Sequence, residues 1–259
     1  MQYFVVDAFT DRLFSGNPAG VCLLDVWPDA AVMQNIAMEN NLAETAFVVR
    51  ESSGAYGLRW FTPETEIDLC GHATLASAFV LMNEVHAVSG SVEFLTKSGT
   101  LTVSQSGDIF TMDFPSRPPV PCEVPPLLEQ ALGAPVLEAY ASRDLLVLLD
   151  SEDAVRSLRP DFSLLKQLKD VFAVIVTARG TDCDFVSRFF APGIGVPEDP
   201  VTGSSHSTLI PFWHARLGKK QMIARQLSAR GGTLICEYCG DRVKIGGTAV
   251  CYLRGEINL

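Results

Sequence analysis

Arg59-Trp-Phe-Thr-Pro63 runs on to Gly71-His72, and Arg188-Phe-Phe-Ala-Pro192 runs on to Gly203-Ser204. The second stretch is a variation on the first, so the chain carries a duplicated unit. Upstream, Val21-Cys-Leu-Leu-Asp25 is echoed by Leu146-Val-Leu-Leu-Asp150, and Pro28-Asp29 by Pro160-Asp161, at offsets of 125 and 132 residues. Small loop insertions account for the drift. No shorter period of about 20 to 50 residues is present, which excludes solenoids and propellers. In a duplicated enzyme the chemistry is expected where the halves face each other.

The chain of 259 residues has room for two ordinary domains. A hydrophobic share of 47% with 19% charged residues is that of a well-cored soluble protein. The net charge of -10 works against nucleic acid and against polybasic docking on membranes, leaving small molecules or proteins as partners. The opening run Met1 to Asp7 alternates like a strand and lacks the charged head of a signal peptide, and nothing reaches the length of a membrane span. These features predict a cytoplasmic protein whose seven cysteines are thiols.

Helix and strand signals alternate in each half. Asp29 is placed to cap a helix with Val32, Met33, Ile36 and Ala37 on one face, and residues 45–49 and 58–61 read as strands, the second stopped by Pro63. From Gly71 to Met82 almost no polar face is left, and a helix apolar all round must be surrounded by protein. Strand-like runs at 92–97, 100–105 and 109–114 follow at hairpin spacing, with Gly99 and Gly107 at the turns. Residues 115–126 hold six prolines, which mark a boundary. The second half repeats the plan: strands at 145–149 and 172–177, a helix at 162–168, a second helix opened by Gly203 and kinked or shortened by Pro211, and strands at 223–228, 233–238, 242–245 and 248–253. The expectation is an α+β protein with domains at 1–114 and 115–259, the last strands being free to return to the first. Each domain is a strongly curved, barrel-like, mostly antiparallel sheet around a central helix.

Each repeat sets a glycine at the head of its central helix, at Gly71 and at Gly203-Ser204. The first turn of a helix has free N–H groups and the positive end of the dipole, so it holds anions such as carboxylates, and glycine permits close approach. Ordinary capping by small residues is the alternative. Glu44 stands at a strand start among Leu42, Ala43, Ala46 and Phe47. A carboxyl group at the rim of an apolar cleft has a raised pKa, suited to taking and returning a proton. The second half offers only Asp170 at the matching place. His72, in the first helical turn, is expected to be neutral because the dipole lowers its pKa. Asp199, just before the second helix, is read as a cap or as a contact to a substrate amine or hydroxyl.

Other motifs carry less. Cys236-Glu-Tyr-Cys239 is half a zinc site without a second half, so its cysteines read as structural thiols and no metal is expected. Gly203-Ser-Ser-His206 lacks the second glycine of a nucleophile elbow, which makes hydrolysis through Ser204 and His206 a remote reading. Neither a Walker A loop nor a dinucleotide fingerprint is present, so no organic cofactor is expected.

Gly16-Asn-Pro-Ala-Gly20, Glu44-Thr-Ala-Phe47, Arg59-Trp-Phe-Thr-Pro63, Asp68-Leu-Cys-Gly-His-Ala-Thr74 and Glu198-Asp-Pro-Val-Thr-Gly-Ser204 together resemble the PhzF family of phenazine-biosynthesis-like proteins, in order and over nearly the whole chain. The resemblance implies the diaminopimelate-epimerase-type fold, with the active site between two similar domains, and a homodimer. It also implies a cofactor-independent isomerase in which one glutamate moves a proton between carbons of a small cyclic carboxylic acid, a dihydro-hydroxyanthranilate in the type enzyme. Carried over by motif, Glu44 is the acid/base, His72 and Asp199 are catalytic partners in contact with substrate, and Gly71, Gly203 and Ser204 bind the carboxylate. Related epimerases use two opposed cysteines. Cys70 stands where one would be, but no cysteine lies between Cys183 and Cys236 to oppose it. An epimerase or racemase, or a non-catalytic binding descendant of the fold, are the rival readings.

Overall fold

In the computed structural model, which describes residues 1–259, the opening run forms strand β1 (Gln2–Ala8), antiparallel to β2 (Asn17–Leu24). Helix α1 (Ala30–Asn40) carries the chain back to β3 (Glu44–Arg50), parallel to β2 as a helical crossover requires. β4 (Tyr56–Phe61) returns antiparallel to β3, and β5 (Glu66–Ile67) is a short spur on its edge. Helix α2 (Gly71–Phe79), prolonged by a π-helical turn over Val80–Glu84, crosses to β6 (Ser91–Thr96), which runs parallel to β4. The hairpins of β7 (Gly99–Ser106) and β8 (Ile109–Pro115) follow. Every residue of α2 from His72 to Phe79 is buried, and the helix packs on β1, β2, β3 and β7. The all-round apolar sequence of α2 is thus the reason the sheet can wrap it.

The same plan then recurs. β9 (Val120–Cys122) and helix α3 (Leu128–Leu132) lead to β10 (Glu138–Ala141) and β11 (Leu145–Leu148), which are antiparallel. Two short helices, α4 (Glu152–Ser157) and α5 (Phe162–Leu165), replace α1. β12 (Val174–Arg179) lies parallel to β11, β13 (Phe185–Ala191) antiparallel to β12, and β14 (Val196–Asp199) is the spur. Helix α6 (His206–Leu217) crosses to β15 (Gln221–Gln226), parallel to β13, with β16 (Gly232–Cys239) and β17 (Arg242–Gly247) after it. Finally β18 (Ala249–Glu256) pairs antiparallel with β1, as β9 pairs with β10. The chain therefore falls into two units, Met1–Asp113 with Gly246–Leu259, and Phe114–Ile245. The expected α+β architecture is present.

Three local expectations need correction. The helix read over 162–168 ends at Leu165, because Gln167 and Leu168 turn back through i→i+3 bonds to Leu164 and Leu165. The second central helix starts at His206 and not at Gly203, since residues 203–208 are first joined by i→i+3 bonds (His206 to Gly203, Ser207 to Ser204, Thr208 to Ser205). Pro211 does not shorten this helix, which continues to Leu217. A proline cannot donate to the carbonyl four residues back, and that carbonyl, Ser207 O, instead accepts from Arg117 N at 2.9 Å. The proline-rich stretch itself contains β9, an edge strand in which Pro121 stands opposite Tyr140. All seven cysteines are free, and no helix is long and apolar enough to cross a membrane.

Candidate active site

In the first unit, Glu44 opens β3, Cys70 is the N-cap of α2 and His72 lies in its first turn. The strand start and the helix start are brought together. His72 Nε2 lies 3.1 Å from Glu44 Oε2, close enough for an ion pair, although neither atom has a partner in hydrogen-bond alignment. The other ring nitrogen, Nδ1, is 3.2 Å from Asn17 Nδ2 and 3.5 Å from Cys70 Sγ. Asn17 is aimed by Gly16, whose φ is +66° and whose missing Cβ would stand 2.2 Å from Ala8 O, so no other residue fits. No side-chain oxygen caps the first turn of α2, where the Ala73 N–H faces the Cys70 sulfur and Gly71 heads the helix.

The charges around His72 overturn the expectation of a depressed pKa. Burial pulls the imidazolium down, but the acidic neighbours Cys70 and Glu44 pull it up and prevail, so it stands well above an ordinary histidine. Burial and then the Glu44 charge push the Cys70 thiol up. Asn17 Nδ2 against Nδ1 suits the neutral ring, whose proton then lies on Nε2, and the imidazolium carries a proton there too. In both states an N–H faces the Glu44 carboxylate.

Donor atoms of Glu44, Cys70 and His72 lie within 4.8 Å of one another, which raises the question of a metal. Glu44 and Cys70 flank opposite nitrogens of the ring, Nε2 and Nδ1. As they stand, the imidazole bridges the two acidic groups through different nitrogens.

In the second unit Asp199 ends β14 and lies outside α6, whose N-cap is Ser205. Asp199 Oδ2 accepts the Thr202 hydroxyl proton. The buried Gln226 braces this loop: its Oε1 accepts from Thr202 N at 2.8 Å, and its Nε2 donates to Asp199 O at 2.7 Å and to Thr202 Oγ1 at 3.2 Å. Gly203 and Ser204 follow in the turn leading into α6. His206 Nδ1 donates to Thr202 O at 2.9 Å, and burial lowers its pKa to about 4, so this ring is neutral. Ser204 and His206 thus have no triad between them: the nearest hydroxyl to His206 Nδ1 is that of Ser205, at 3.3 Å.

Pairing registers match the repeats residue by residue. Thr45 faces Phe61 as Val174 faces Phe190, so Ala173, and not Asp170, holds the place of Glu44. Two ion pairs fix the rest. Arg59 Nε and Nη2 grip Glu66 at 2.7 and 2.9 Å, and Arg188 grips Glu198 at the same two distances. Counting on from Glu66 and Glu198, Thr202 replaces Cys70 and Ser204 replaces His72. These clamps hold the spur that precedes each glycine, and the Arg59 hydrogen bonds lower the Glu66 pKa to about 2. Both arginines stand in the repeated phrase, but nothing in it assigns Glu66 and Glu198 as their partners or Asn17 and Gln226 as side-chain braces. A glutamate a few residues downstream of each arginine was the available signal.

The family model for phenazine biosynthesis-like proteins, PhzC-PhzF, matches residues 6–255. A protein named as an uncharacterized isomerase from Pseudomonas aeruginosa is 51% identical over 259 residues, covering 100% of this chain and 99% of its own length. The crystal structure of a PhzF-family protein from Enterococcus faecalis superposes with a TM-score of 0.98 at 50% identity, covering 100% of this chain and 99% of that one. A hydroxyproline epimerase from Agrobacterium vitis, at 12% identity and a TM-score of 0.65 with 98% and 91% of the two chains covered, shares the fold.

Proposed function

The chain belongs to the PhzC-PhzF family of phenazine biosynthesis-like proteins, and from that premise we propose that it is a cofactor-independent isomerase that moves a proton within a small carboxylic acid, with Glu44 as its single acid/base. The observation that carries this reading is the Glu44 carboxylate held 3.1 Å from His72 Nε2, at a place where the second repeat has Ala173 and Ser204. At this place one unit has a proton-transfer group and the other has none.

In this mechanism the substrate carboxylate rests on the N-terminal end of α2 at Gly71. The His72 Nε2–H steadies Glu44 Oε2 and leaves Oε1 for the substrate. Glu44 takes a proton from a substrate carbon, and the C–H bonding pair passes into the neighbouring π system. The same carboxyl then returns a proton at the far end of that system, so substrate and product differ only in where one hydrogen and one double bond lie. Asp199, Gly203 and Ser204 are assigned to substrate binding in the second unit, with Asp199 meeting an amine or hydroxyl. A two-thiol epimerase is disfavoured, because Cys70 is a buried thiol of raised pKa and its counterpart is Thr202.

The test uses small unsaturated carboxylic acids incubated in deuterated water and followed by NMR. Wild type is expected to wash label into one of them, and Glu44→Gln to slow this by about 10²- to 10⁴-fold. Equal labelling by the two proteins would reject Glu44 as the base. Saturable binding of an acid without exchange or conversion in wild type would favour a binding protein instead.

A further inference from the structure

The pairing registers carry the comparison of the repeats to a further position. Gly20 faces Thr45 across β2 and β3 as Leu145 faces Val174 across β11 and β12, and Thr45 and Val174 are counterparts. Three residues back from each, Ser142 therefore holds the place of Asn17. The first unit sets Asn17 against His72, whereas the second has serines at both places, and Ser142 Oγ lies 3.3 Å from Thr208 Oγ1. The carboxamide thus changes together with the carboxylate: Asn17 goes with Glu44, and Ser142 with Ala173.

Asn17 is fully buried at the head of β2, where a carboxamide is costly unless its polar atoms are matched. Its Nδ2 meets His72 Nδ1 at 3.2 Å, and the opposite nitrogen of that ring meets Glu44 Oε2 at 3.1 Å. A neutral imidazole has one proton for these two places. Carried on Nδ1, it would oppose the Asn17 N–H and turn the bare Nε2 on the Glu44 carboxylate, a mismatch at both ends. Carried on Nε2, it matches both. Cys70 Sγ, 3.5 Å from Nδ1, is a weak donor and a weak acceptor alike and does not choose between them.

We propose that Asn17 is a positioning residue for the acid/base: acting through His72, it keeps the ring turned so that Nε2–H points at the Glu44 carboxylate. This role rests on the reading of Glu44 as the proton-transfer group, and adds to it the side chain that sets its geometry. A charged ring is served by the same residue, because the carboxamide turned over offers Oδ1 to Nδ1–H. Neither a serine, with its shorter reach, nor an aspartate, which only accepts, matches the ring in both states. Asn17 makes no contact with substrate in this scheme, so its loss is felt in the orientation of Glu44 and not in affinity.

Long-range ¹H–¹⁵N spectra of the full-length protein, with its histidines ¹⁵N-labelled, read the ring of His72 without any substrate, and His72→Gln identifies its signals. As pH is raised until the ring is neutral, wild type is expected to retain the proton on Nε2. Asn17→Leu should give a mixture of the two tautomers, and Asn17→Asp, of the same size, should keep Nδ1 protonated to higher pH. In deuterium exchange with a small unsaturated carboxylic acid, Asn17→Leu should lose about tenfold or more in kcat with KM little changed. A wild-type ring protonated on Nδ1 alone overturns the proposal, as does an Asn17→Leu protein with the wild-type tautomer or with undiminished exchange. Should Asn17→Leu not fold, an unshifted His72 titration in Asn17→Asp overturns it. Failure of Glu44 as the base shows separately, as equal labelling by wild type and Glu44→Gln.

Discussion

Asp199 and Ile67 hold the same place in the two repeats: Asp199 faces Phe189 across β13 and β14 as Ile67 faces Trp60 across β4 and β5. An apolar residue in one copy and a carboxylate in the other, on spurs held by the same arginine clamp, is a difference that packing does not ask for. The first spur manages without the charge.

Asp199→Asn tests what the charge is for. The amide oxygen can still accept from Thr202, so the expected outcome is an unchanged melting temperature with KM raised about tenfold and kcat little altered, as for a lost charged contact to substrate. A lower melting temperature at constant KM would make Asp199 a structural residue.

His72 links the site to pH. Its folded pKa is raised above 6.5 by Cys70 and Glu44 against the pull of burial. The protein then binds more protons folded than unfolded as pH rises past 6.5, so the stabilisation is complete below that value and is lost as pH climbs through the folded pKa. His72→Gln keeps an N–H near the position of Nε2 but does not titrate. It should flatten this part of the stability profile in denaturant titrations while retaining more hydrogen exchange than His72→Leu, which removes the donor. Equal exchange by the two variants would count against His72 as the group that positions Glu44.

His206 acts in the opposite direction. Its pKa falls from 6.5 to about 4 on burial, so the unfolded chain binds the extra proton first. Stability is full above pH 6.5 and declines towards pH 4 by roughly 3 kcal/mol. His206→Asn can keep a donor to Thr202 O without titrating. It should be less stable at pH 8 because a buried ring is lost, yet show a shallower acid decline. An unaltered decline would place the acid sensitivity elsewhere.

Much of this was legible in the sequence, for identifiable reasons. The apolar run after Gly71 demanded a surrounding sheet, and Glu44 and His72 follow from their places at a strand start and a helix start. The charge of His72 is not legible there, because the helix dipole is a local cue, whereas the carboxylate that outweighs it belongs to a strand twenty-eight positions earlier in the chain. The clamp partners Glu66 and Glu198 give no signal because β5 and β14 span two and four residues, too short for any periodicity. Gly203 reads as a helix start because its counterpart Gly71 is one, and only the bond pattern of residues 203–208 separates the two cases.

The pairing of β1 with β18 has a consequence for how the protein is made. β1 leaves the ribosome before the second unit, and the strand that covers its outer edge, from Glu256 opposite Gln2 to Ala249 opposite Ala8, comes only after that unit has been translated. Until then the first unit presents an unpaired strand edge, the kind of surface that recruits other nascent chains. Closure of the first unit therefore waits for the whole second unit, and the open edge of β1 persists for as long as that unit takes to emerge.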